Sequence, residues 1–240
     1  MTGEPLTIAH LYPHQMNIYG DHGNVLALQR RAQWHGYEPE VLEVHPGDPF
    51  PARADVIVGG GGQDSGQSKV TGDLGRHADE YRDAVEDGTP VLLVCGMYQL
   101  FGRAFVTSEG ERLPGIGVLD LETTGSSKRI IGNVAVESDE FGTVIGFENH
   151  SGRTVLGSGG RPLGHVAKGR GNNGTDGTEG VRYRNVIGTY LHGSVLPKNP
   201  RVADFLLETA AVRRHGSFHR GTPDDARADA ARRVAASRPR

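Results

Sequence analysis

Residues 90–102, PVLLVCGMYQLFG, hold the only cysteine of the chain between a short apolar run and a segment that reads as a helix start. The run is bounded by proline on one side and cysteine on the other, the pattern of a strand buried on both faces of a parallel sheet. Cys95 therefore stands where a strand hands over to a helix, above the carboxyl edge of the sheet. The helix N-terminus there favours a thiolate. The position fits two readings, a nucleophile or a small buried hydrophobe closing a strand, and by itself does not choose between them.

Similar runs lie at residues 6–11 (LTIAHL), 54–60 (ADVIVGG) and 185–193 (NVIGTYLHG). Helical patterns at 23–34 and about 73–86 separate the first three, and another candidate follows Cys95. Strand and helix thus alternate through the first hundred residues, which predicts an α/β fold with a mostly parallel, doubly wound sheet and helices on both faces. From about 113 to 190 the pattern changes to RIIGNVAVE, TVIGFENH and VRYR, separated by Gly, Asn and Ser, which predicts an antiparallel β extension. Residues 157–180, with GNNGTDGTEG inside, read as a mobile loop. A last helix is expected at about 199–212. Residues 213–240 are rich in Arg and Ala and poor in large apolar side chains, so one domain, 1–212, is expected to carry a disordered or loosely helical tail, 213–240.

Composition removes several function classes. One cysteine excludes an internal disulfide and a cysteine-based zinc cluster. A net charge of −3 with scattered basic residues argues against nucleic acid as a partner. No apolar run approaches the roughly 18 residues of a membrane span. The N-terminus has neither a basic start nor an apolar signal core, so a cytoplasmic location is expected. No metal and no cofactor is expected in this chain.

Two further segments bear on Cys95. Four consecutive glycines, 59–62, end a strand, and without Cβ atoms their N–H groups can approach a ligand closely, as an oxyanion hole requires. A flexible turn is the plainer account. A phosphate loop fails, because Gln67 stands where its lysine would be. In GTYLHG, His192 follows a strand directly and reaches the same sheet edge as Cys95, where the two can form a thiolate and general base. The chain has eleven histidines, and His150 in FENHSG, also at a strand end, is the rival.

GGGGQD, VCGMYQLFG and GTYLHG, in this order and at these separations, resemble the class I glutamine amidotransferases, in their cobyric-acid-synthase-like branch. LYPHQMNIYGDHGN (11–24) and FENHSG (147–152) narrow the resemblance to amidotransferase subunits of lipid II isoglutaminyl synthases. It covers about residues 5–210. It implies the flavodoxin-like class I fold, Cys95 as nucleophile, His192 as base, and backbone around Gly61, Gly62 and Gly96 as oxyanion donors. It also implies that Arg129 holds the substrate, L-glutamine, although an arginine beside Lys128 reads equally as surface charge. Asn17, Tyr19, Gly20, Asp21 and Asn24 match the opening motif, and Asp21 also reads as a helix cap.

The resemblance further implies a heterodimer with a Mur-ligase-like synthetase. That partner would bring ATP and Mg and receive ammonia to amidate D-glutamate in the lipid II stem peptide, a step of peptidoglycan synthesis. An amidotransferase for another carboxylate, such as a corrinoid, and an inactive regulatory subunit are the alternatives. Two departures stand out. Leu93 and Met97 flank the nucleophile where many class I enzymes carry glycine, and Ser194 stands where many carry the glutamate that orients the histidine. The branch is similar in lacking that acid, so a Cys95/His192 dyad is expected, with any orienting acid supplied by the partner.

Overall fold

Leu6, Ile8, Ala9 and Leu11, on a strand paired along both edges, are sealed from solvent on both faces of the sheet. The computed structural model describes residues 3–238. In chain order, β1 (Glu4–Leu11) leads through a 3-10 turn (Ile18–Gly20) to α1 (His22–Trp34) and β2 (Tyr37–Val44). Then come β3 (Val56–Gly59), α2 (Asp64–Arg76), α3 (Ala78–Glu86), β4 (Val91–Val94) and α4 (Gly96–Leu100). The β-rich stretch holds β5 (Ala104–Val106), β6 (Arg112–Pro114), β7 (Leu121–Ser138), β8 (Gly142–Leu156), β9 (Gly164–Lys168) and β10 (Thr178–Glu179). The chain returns as β11 (Val181–Tyr183), β12 (Val186–Thr189) and β13 (Leu191–His192), followed by α5 (Val195–Lys198), α6 (Pro200–His215) and α7 (Ala226–Ser237).

The main sheet runs β11-β12-β4-β3-β1-β2 and is parallel except for β11. The second sheet, β10-β9-β7-β5-β6 with β8 and β13 joined through β7, is antiparallel apart from the β5–β7 pair. This is the expected α/β architecture. Because β3, β4 and β12 run the same way, the residues just past their ends, glycines 60–62, Cys95 and the segment entering β13, share one edge.

Leu93 and Met97 are accommodated by glycines on the neighbouring strands. Leu93 is paired with Gly59 on one side and Gly188 on the other. A Cβ on Gly59 would stand 2.9 Å from Met97 Cγ, and one on Gly188 would stand 2.4 Å from Tyr98 Cδ2. The small residues lie beside the elbow instead of within it.

The structure draws several boundaries differently from the sequence reading. β2 was not anticipated, because YEPEVLEV has no apolar run and sits at a sheet edge. α2 begins at 64, earlier than expected, in a Gly- and Ser-rich stretch of poor helix propensity. Residues 157–180, expected as a mobile loop, contain β9 and β10 and are fixed by buried Asn172, whose Nδ2 donates to the Gly180 carbonyl at 3.0 Å.

Within the expected tail, Ala226–Ser237 form helix α7, one of the two expected forms, and the other described residues follow a defined path. α6 continues to His215, and the following segment returns across the domain. Phe218 stacks on Tyr37 with ring centroids 5.8 Å apart. Buried Arg31 pairs with Asp204 and with Asp225 of the returning segment. From α7, Arg232 donates to the carbonyls of Thr143 at 2.7 Å and Lys198 at 2.9 Å. The segment is indeed poor in apolar surface, and α7 buries no residue; charged hydrogen bonds hold it. Among the described residues no helix is long and apolar enough to cross a membrane.

Candidate active site

Cys95 has φ +49 and ψ −102, a conformation that L-residues rarely adopt and that commonly marks a functional turn. Its N–H donates to the Thr189 carbonyl at 2.8 Å, tying the elbow to the strand that precedes His192. Cys95 lines a cavity of about 530 Å³ together with Gly62, Gln67, Arg129, Asn149 and His150. That volume is in the range of small-molecule sites.

His192 is fully buried beside the thiol. Its Nδ1 lies 3.4 Å from Asp21 Oδ1. Its Nε2 has no hydrogen bond of good geometry, yet the ring is near enough to the Cys95 sulfur for the two to interact strongly. Burial alone would lower the His192 pKa. Attraction to the Cys95 thiolate and the Asp21 carboxylate outweighs burial and pushes it up to about 10. The arrangement is an acid–imidazole–thiol line.

Asp21 is therefore more than a helix cap: it places a carboxylate against the imidazole from within this chain, where the sequence reading expected any orienting acid to come from the partner. The carboxylate is 1% exposed and makes no capping bond to α1. Its Oδ2 accepts the Gly61 N–H at 2.7 Å while Oδ1 faces the imidazole. Ser194, in the place of the missing glutamate, donates its hydroxyl to the Gly20 carbonyl at 2.8 Å and so holds the turn carrying Asp21 against the histidine.

The glycine loop divides its labour. Gly61, expected as an oxyanion donor, spends its N–H on Asp21, and a Cβ there would stand 2.8 Å from His192 Cε1. Gly62 and Gly96 lie against each other, since a Cβ on Gly96 would come within 2.9 Å of the Gly62 nitrogen. Both glycines stand just past the carboxyl ends of neighbouring parallel strands, β3 and β4, at the same edge as Cys95.

Arg129 sits at the rim of the same cavity. Its Nε and guanidinium NH2 donate to Asn149 Oδ1 and the Asn149 carbonyl, both at 2.9 Å. Asn149 Nδ2 in turn donates to the Tyr19 hydroxyl at 2.7 Å, and the Tyr19 ring packs edge-on to His192 at 4.9 Å. The opening motif thus links the rim arginine to the histidine.

His150 also lines the cavity, but as a wall. Burial lowers its pKa to about 3, the Gly152 carbonyl takes Nδ1 at 2.9 Å, and its ring stacks on Tyr190 at 3.7 Å. Gln67 belongs to the inner wall: its Nε2 donates to Gln99 Oε1 at 2.9 Å, and Gln99 donates to the Tyr190 hydroxyl at 3.0 Å. Sequence reading passed over Gln67 as a failed phosphate-loop lysine. Its one signal was its place just past the four glycines.

Residues 7–200 match the family model of the CobB/CobQ-like glutamine amidotransferase domain. The chain belongs to this family. As a member, it is a glutamine amidotransferase. Over 210 residues it is 42% identical to the lipid II isoglutaminyl synthase (glutamine-hydrolyzing) subunit GatD of Staphylococcus aureus strain N315, a match covering 87% of this chain and 86% of that protein. The protein of the same name in Streptococcus pneumoniae is 39% identical over 214 residues, 88% of this chain and 82% of that one. Cobyric acid synthase of Pelotomaculum thermopropionicum is 32% identical over 196 residues, 70% of this chain but only 36% of that protein. Among solved structures, a crystal structure of a glutamine amidotransferase superposes with a TM-score of 0.60 at 18% identity, covering 85% of this chain and 99% of that one. That likeness supports the class I fold.

Proposed function

We propose that this chain is the ammonia-producing subunit of a lipid II isoglutaminyl synthase, hydrolysing L-glutamine through a thioester on Cys95. The observation that carries the chemistry is the strained Cys95 facing a buried imidazole backed by Asp21. The Cys95 thiolate attacks the side-chain carbonyl carbon of glutamine, and the oxyanion is met by the N–H groups of Gly62 and Gly96. His192, protonated and held by Asp21, gives its proton to the departing nitrogen as the C–N bond breaks, releasing ammonia. Neutral His192 then takes a proton from water, which attacks the γ-glutamyl thioester. Collapse of that intermediate expels the thiolate and yields glutamate. Arg129 holds the α-carboxylate of glutamine at the rim.

The acceptor reading rests on the near full-length similarity to two subunits of that name, against a partial match to cobyric acid synthases. In this reading a Mur-ligase-like partner binds ATP and Mg, activates the α-carboxyl of D-glutamate in the lipid II stem peptide, and receives ammonia to give D-isoglutamine on the cytoplasmic side of the membrane. The test is reconstitution with such a synthetase from the same cell, using lipid II, ATP-Mg and amide-labelled ¹⁵N-glutamine. Label in D-isoglutamine supports the assignment. Glutamine hydrolysis without transfer to lipid II, but with transfer to a corrinoid acid by another partner, would overturn it.

A further inference from the structure

Outside the active site, His14, Glu43 and His45 form a cluster at the carboxyl ends of β1 and β2 that the glutaminase chemistry does not use. We propose that these three side chains bind one divalent transition-metal ion of the zinc class. Their donor atoms all lie within 4.8 Å of one another. His45 Nε2 stands 3.5 Å from Glu43 Oε2, and the His14 and His45 rings lie 17° from parallel with centroids 5.2 Å apart. Two donors on one tetrahedral zinc, each about 2.0–2.2 Å from it, are about 3.3–3.5 Å apart. One pair already has that spacing, and His14 offers its donor within 4.8 Å of both.

Residue types and scaffold agree with this use. Two imidazoles and one carboxylate, with a fourth position open, suit zinc, cobalt or nickel rather than calcium or magnesium. Among the described residues no other hydrogen bond or ion pair engages these three side chains. The backbone beneath them is fixed. Tyr12 N–H donates to the Val44 carbonyl at 2.8 Å, continuing the β1–β2 pairing, and its hydroxyl donates to Asp73 at 2.8 Å. Asp73 also accepts the Gly47 N–H at 2.8 Å, and Asp48 accepts the His45 N–H at 2.7 Å.

An independent sign comes from His10, the residue paired with Glu43 across the two strands. It is 1% exposed and neither ring nitrogen has a partner. Buried polar groups are seldom left so. Its ring lies 5.4 Å from the His22 ring, so a cation held by Glu43 on the same face, with its bound water, is within reach as a hydrogen-bond partner for one of its nitrogens.

The ion would act at a distance from the chemistry. From His14 the chain runs to Met16, against which Cβ atoms on Gly60, Gly62 or Gly96 would collide, and to Asn17, whose Oδ1 accepts the His22 N–H at 2.8 Å beside Asp21. Fixing His14 to β2 therefore clamps the segment that backs both the oxyanion loop and the orienting acid.

The experiment uses untagged full-length protein carrying Cys95→Ser, so that the catalytic thiol is no ligand. Zinc chloride is titrated by calorimetry and cobalt chloride by visible absorption, with melting curves with and without metal. The proposal expects saturation at one equivalent, a tetrahedral cobalt spectrum, and a melting temperature raised by zinc. His14→Ala and His45→Ala, both folded without metal by circular dichroism, should each weaken binding by more than about tenfold and lose the zinc-dependent rise. His165→Ala, at an exposed histidine elsewhere, should change neither. Absence of saturable binding, or an isotherm unchanged by both cluster variants, would overturn the proposal.

Discussion

Replacing Asp21 by asparagine tests the assignment of the orienting acid with little change of shape. In the parent, two N–H donors converge on one carboxylate: Gly61 at 2.7 Å and His192 Nδ1 at 3.4 Å. An amide offers one acceptor and one donor. If its oxygen keeps Gly61, its NH2 faces Nδ1, which must then be the bare nitrogen of the ring. The proton moves to Nε2, on the side toward Cys95, and the neutral imidazole can no longer take a proton there. Loss of the triad aspartate by the same substitution costs a serine protease about 10⁴ in kcat. The longer contact here makes the dependence weaker, so we expect a loss of about 10²–10⁴, or about 3–5 kcal/mol of transition-state stabilisation. The assay is glutamine hydrolysis by the reconstituted complex, with ¹⁵N NMR of the histidine ring to read the tautomer and a melting curve to check the fold. A kcat within tenfold of the parent in a folded protein would refute the reasoning.

Other expectations follow from the same geometry. His192→Ala should lose activity by about 10²–10⁴, whereas His150→Ala should mainly raise KM and lower stability, because His150 is a neutral ring stacked on Tyr190; steady-state kinetics of both variants decide, and the reverse ranking would exchange their roles. Deleting residues 217–240 should lower the melting temperature by about 5–15 °C, through loss of the Phe218 stack, of Asp225 from Arg31 and of Arg232 from the Thr143 carbonyl, while glutaminase activity survives. Burial pushes fully buried Glu179 up to about 8, against hydrogen bonds from Tyr190 N–H and the Thr189 hydroxyl. Its folded pKa is above the unfolded one, so the unfolded chain ionises first and stability falls as pH rises from the ordinary carboxylate range through about 8. Glu179→Gln should flatten that decline in melting temperature against pH, and an unchanged slope would contradict the buried neutral acid.

The order of elements around the site was legible because its strands are buried on both faces and read as uninterrupted apolar runs. Cys95 and His192 could be placed on one edge from strand direction alone. β2 escaped notice because an edge strand half open to water carries glutamates between its apolar residues. Asp21 was visible as part of a motif, but its role was not. A carboxylate before a helix looks like a cap until the turn between β1 and α1 is seen to fold its side chain inward, with Ser194 holding that turn from 174 residues away. The division of labour between Gly61 and Gly62 depends on which way each N–H points, which no sequence pattern carries. The docking of residues 217–237 was missed for a different reason. Composition reports apolar burial, whereas this segment is held by Arg31 and Arg232 reaching backbone carbonyls and carboxylates across the fold.

The most direct measurement of the central claim is covalent trapping with the glutamine analogue diazo-oxonorleucine, followed by peptide mass mapping. A reactive thiolate at the Cys95 elbow predicts one adduct per chain, on Cys95, slowed by L-glutamine, strongly slowed in Asp21→Asn, and accompanied by complete loss of glutaminase activity. An adduct on another residue, or glutamine hydrolysis above a few percent of the parent rate in Cys95→Ser, would contradict it.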